Sequence, residues 1–74
     1  MGSRLAAQIR VTGQRAGIRV FSAFDVPVTL KSDTQSSEYL TQRSRALAHF
    51  SRKHPGATVL EARLVKYKEN DRPW

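Results

Sequence analysis

Cysteine is absent from this chain of 74 residues. No disulfide and no thiolate zinc site can brace it, although a chain this short buries only a modest share of its surface and is marginal alone. It must rely on a small core, a second copy or a partner. Acid is scarce as well: six Asp and Glu stand against thirteen Lys and Arg, a formal charge of +7. Arginine dominates the basic set, and its planar guanidinium suits bidentate contact with phosphate or carboxylate. A field of this sign draws polyanions, and it also keeps a small protein in solution. Long apolar runs are missing. Nothing approaches the length of a membrane span and there is no secretory apolar stretch, so a cytoplasmic protein is expected. Internal repeats and low-complexity segments are missing too. The expectation is one domain over 1–74, with a folded core over 5–67 and a polar, frayed tail over 68–74.

The signatures of catalysis are also missing. There is no thiol nucleophile, no serine stands in a nucleophile elbow, and Gly13 and Gly17 lack the lysine of a phosphate loop. His49 and His54 are too far out of phase to share a helix face, and no carboxylate is placed to complete a metal site. The chain therefore reads as non-enzymatic, with no cofactor and no metal. A small metal-free ribonuclease working with His, Arg and Tyr is a second alternative.

What is present begins with a helix. Leu40, Leu47 and Phe50, with Ala46 beside them and Tyr39 at the margin, form an apolar stripe at helical spacing. The predicted helix runs from Ser36 to His54. Asp33, Thr34, Ser36 and Ser37 can cap its start, and Glu38 suits the positive end of its dipole. Pro55 and Gly56 end it sharply, after a basic last turn. Gln42, Arg45, His49 and Arg52 form a second, basic stripe flanked by Arg43 and Lys53.

Strands flank this helix. Leu5, Ala7, Ile9 and Val11 alternate with polar residues, and Ile18, Val20 and Ser22 do the same after a loop from Gly13 to Gly17. A turn at Phe24-Asp25 then leads into a short edge strand over Val26, Val28 and Leu30, since Pro27 cannot donate to a ladder. The last strand, Thr58 to Tyr67, should turn Leu60, Ala62 and Leu64 inward, because the opposite register buries Glu61 and Arg63. Residues 1–24 hold four arginines and no acid, the charge balance of a mitochondrial transit peptide. The strand-like alternation, and the need of this segment for the core, favour two strands with basic outer faces.

The expected architecture is α+β: a small two-layer sandwich of three or four mainly antiparallel strands with one helix on one face, in the order β-β-β-α-β. The core would hold Leu5, Ile9, Val11, Ile18, Val20, Val28, Leu30, Leu40, Leu47, Phe50, Leu60, Ala62 and Leu64. The sheet face away from the helix would carry Arg4, Gln8, Arg10, Arg19, Phe21, Arg63, Val65 and Tyr67. Arginines interleaved with aromatics are the ingredients of a platform for single-stranded nucleic acid. The expected function is a small basic module that binds DNA, RNA or a nucleoprotein. Arg10, Arg19, Phe21, Arg63 and Tyr67 are one candidate surface, and Arg45, His49 and Arg52 on the helix are another. The alternative is an accessory or inhibitory module, of the kind found in phages and mobile elements. It would dock to an acidic protein such as a nucleic-acid enzyme, or pair with a second copy through the open sheet face.

Overall fold

A computed structural model describes residues 5–31, 33 and 35–68. Three strands, β1 (Leu5–Arg15), β2 (Ile18–Val26) and β3 (Thr58–Lys68), form one antiparallel sheet, and a single helix, α1 (Ser37–Lys53), lies between β2 and β3 in the chain. The sheet order is β2-β1-β3, so the first strand is the central one. This is the expected α+β layout with one helix on one sheet face. Arg4, Thr34 and most of the predicted tail lie outside the described residues.

Alternation sorts the strands as predicted. Ile9 pairs with Phe24 on one side and Leu64 on the other, and Val11 with Ser22 and Ala62, so these residues share the helix side. Ile9, Val11, Ala7, Leu30, Tyr39, Ala46 and Phe50 form the buried core. Glu61 and Arg63 fall on the opposite face, as the cost of burying them requires.

Several local expectations are corrected. The hairpin loop is two residues long: pairing continues to Arg15 with Ile18, and Ala16 (φ 51°) and Gly17 (φ 79°) make the turn. Two positive φ angles match the twist of the strands they join. Phe24 and Asp25 stay in β2, so there is no turn between them. Val26 to Leu30 is not a strand of its own. Leu30 N–H donates to the Pro27 carbonyl (3.0 Å), and this turn delivers the Leu30 side chain into the core.

The helix limits agree with the prediction, but its buried stripe is rotated. Tyr39, Ala46 and Phe50 face the sheet, whereas Leu40 is 47% exposed. The pairs Tyr39/Ala46 and Leu40/Leu47 have the same seven-residue spacing and lie about 100° apart around the axis. The small Ala46 lets the helix approach the sheet, so the first pair takes the inner position and Leu47 is left at the border. Ser36 occupies the N-cap without a side-chain hydrogen bond. Asp33 organises the entry instead: its Oδ1 accepts from Gln35 N–H (3.0 Å) and its carbonyl from Ser36 N–H (2.9 Å).

The helix packs over β2 and β1. β3 therefore has no fully buried residue. Leu60, expected in the core, is 49% exposed. A bulge causes this: Thr12 pairs with Glu61 and Gly13 with Val59, leaving Leu60 as the extra residue. Leu5 and Ile18, at strand ends beyond the reach of the helix, are exposed as well. Among the described residues no helix is long and apolar enough to cross a membrane.

Candidate functional site

Among the described residues no second layer covers the sheet face turned away from α1, although Gln8 on that face is buried. The register sets Gln8, Arg10 and Thr12 of β1 in its middle, flanked by Asp25, Ala23 and Phe21 of β2 and by Val65, Arg63 and Glu61 of β3. Arg19 lies on this face opposite Gln14, and Tyr67 opposite Ala6. The five sheet residues predicted from the sequence, Arg10, Arg19, Phe21, Arg63 and Tyr67, thus share one surface.

A polar relay joins β1 to β2. Arg10 Nε donates to Gln8 Oε1 (3.3 Å), and Gln8 Nε2 donates to Asp25 Oδ1 (3.2 Å). The guanidinium of Arg10 also lies over the Tyr67 ring, 5.9 Å from its centroid. Arg10 is therefore held by Gln8 of its own strand and by Tyr67 of β3. Arg63 stands directly opposite it. Like charges facing each other across a ladder are destabilising. The local counter-charge on Arg63 is Glu61 at 3.9 Å, an ion pair with both side chains well exposed. Such a pair is weak in water. Glu61 thus neutralises Arg63 only weakly.

Beside them, Phe21 is 60% exposed. Phe21, Arg10, Arg63 and Val65 line a shallow depression, and Lys53 from the last turn of α1 lines it too. Among the described residues three cations and one acid, Glu61, meet around an exposed ring. Lys53 is the residue that sequence reasoning missed. It was assigned to the helix surface, on the other side of the molecule, and periodicity along α1 carries no sign that the helix ends beside the edge of the sheet.

On the second candidate surface Arg45, His49 and Arg52 are all exposed on α1, and the His49 ring packs against Phe24 of β2, with centroids 5.8 Å apart. His54 forms the end of the helix and also ties it to the sheet. Its backbone N–H donates to the Phe50 carbonyl (2.8 Å), its ring lies 5.3 Å from that of Phe50, and its Nε2 donates to the Phe21 carbonyl (2.9 Å). The two histidines therefore pack against different rings. Among the described residues no group of three His, Cys, Asp or Glu side chains is close enough to hold a metal ion.

Comparison of the chain with protein-family models, with curated proteins and with solved structures finds no match.

Proposed function

We propose that this protein is a small, non-catalytic cytoplasmic module that binds single-stranded nucleic acid on its open sheet face. The observation that carries this reading is the exposed Phe21 ring in one depression with Arg10, Arg63 and Lys53. A phosphate bound in this depression accepts from Arg63 and meets the positive field of Arg10 and Lys53. A base stacked on Phe21 adds on the order of 1–3 kcal/mol and needs no particular sequence. Lys53 and Arg19 extend the positive rim on which a backbone can run. The helix stripe supports the reading less well, because its exposed ring, His49, already packs against Phe24. Docking to an acidic protein, such as a nucleic-acid enzyme, is the second reading, and the unpaired outer edge of β3 favours it.

Fluorescence anisotropy with labelled single- and double-stranded DNA and RNA, over a salt series, tests the proposal. Single strands should bind more tightly than duplexes. Phe21→Ala should weaken single-strand binding about tenfold to a hundredfold with the salt slope unchanged. Arg63→Ala should lower the slope by about 0.7. Arg45→Ala with Arg52→Ala should have the smaller effect. Weak binding that disappears at moderate salt, equally in all variants, rejects the proposal and directs the search to a protein partner.

A further inference from the structure

The strongest unexplained feature is β3. It is an outer strand of eleven residues without proline, and none of its side chains is fully buried. On the helix side Leu60 is 49% exposed, and Ala62 and Leu64 are only partly covered. Outer strands usually carry a device that prevents pairing. β2, the other outer strand, ends at Pro27 and gives a carbonyl to His54. The bulge in β3 lies near one end, at Leu60, and leaves the stretch from there to Lys68 regular.

We propose that a second copy of this chain pairs with β3 edge to edge, antiparallel, about a two-fold axis at Ala62. Symmetry makes the choice of centre a charge argument. A two-fold axis perpendicular to the sheet keeps each residue opposite one on the same face, so the centre must fall on a residue. Centred on Arg63, the pairing sets that guanidinium against its own copy. Centred on Leu64, it sets Arg63 against Val65 and Ala62 against Lys66. Centred on Ala62, it sets Glu61 against Arg63 in both directions and Leu60 against Leu64 in both directions. Only this register pairs opposite charges on one face and leucines on the other. Beyond Leu60 the bulge turns the strand away and ends the pairing. The interface is isologous and closes as a dimer. It does not depend on nucleic acid, so the two proposals can fail separately.

Analytical ultracentrifugation without nucleic acid, over a concentration series, reads the result. The expected mass is twice that of the 8.4 kDa chain. Glu61→Arg alone, or Arg63→Glu alone, replaces two attractive pairs by two repulsive ones and should raise the dimer dissociation constant about tenfold or more. The double variant, with both charges exchanged, should restore the dimer. Both sites of change are exposed, and circular dichroism confirms that each variant is folded. Because the chain has no cysteine, Ala62→Cys gives an independent readout. Directly opposed residues in a ladder come close enough for a disulfide, so mild oxidation should yield a covalent dimer. Ser51→Cys, on the exposed side of α1, should not. A single-chain mass at every concentration overturns the proposal. So does a dimer that is indifferent to the charge reversals, or one that crosslinks equally through Ser51→Cys.

Discussion

The ring of Phe50 occupies the space where Gly13 would carry a side chain. A Cβ at Gly13 would collide with that ring and would stand 2.6 Å from the Thr58 carbonyl oxygen. The largest fully buried side chain of the helix is thus seated on the one strand position that has no side chain. The bulge opposite Gly13 is part of the same arrangement, since the register shifts between Thr12 and Gly13.

Gly13→Ala is therefore expected to destabilise the domain by roughly 1–3 kcal/mol, as overpacking does. Phe50→Ala should cost about 3–5 kcal/mol, a large part of the total stability of a small domain. Because the two residues touch, their effects should not add. Urea denaturation of the single and double variants measures this. A neutral Gly13→Ala would mean that the ring sits elsewhere.

The rotated helix face gives a second prediction. Tyr39→Ala should cost about 2–4 kcal/mol, whereas Leu40→Ala should cost less than about 0.5 kcal/mol. Thermal melts of the two variants decide which residue faces the sheet. Equal losses would contradict the burial of Tyr39 and the exposure of Leu40.

Ser22 gives a third. It is buried on the helix side of β2, opposite Val11, and among the described residues its hydroxyl has no hydrogen-bond partner. Its removal relieves an unsatisfied polar group. Ser22→Ala should raise stability by about 1 kcal/mol, seen as a higher urea midpoint with an unchanged slope. A loss of stability would show that the hydroxyl is hydrogen-bonded in solution.

How far the sequence could be read follows from the nature of each signal. Alternation placed Arg10, Phe21, Arg63 and Tyr67 on one face because a pleated strand has only two faces and burial of charge rules one out. Pro55 and Gly56 marked the end of the helix because their backbone limits are local. The angular phase of the helix was not legible. Tyr39/Ala46 and Leu40/Leu47 satisfy the same spacing, and the choice between them depends on how closely the backbone approaches the sheet. The glycine at position 13 was read as a loop residue, and its actual role is set by a ring that arrives from the helix. The exposure of Leu60 follows from that same contact, through the bulge. Lys53 joins the sheet-face site through tertiary geometry alone.

The central place of β1 also sets an order in time. Its pairs with β2 lie close in sequence, around a two-residue turn, and such a hairpin can close within microseconds. Its pairs with β3 run from Gln14 with Thr58 to Leu5 with Lys68, across the helix and nearly the whole described chain. Contacts of that span are the slow ones to form. A ribosome making this protein delivers the middle strand first and the second neighbour of that strand last. One flank of β1 therefore stays unpaired, and open to other strands, until β3 has been made.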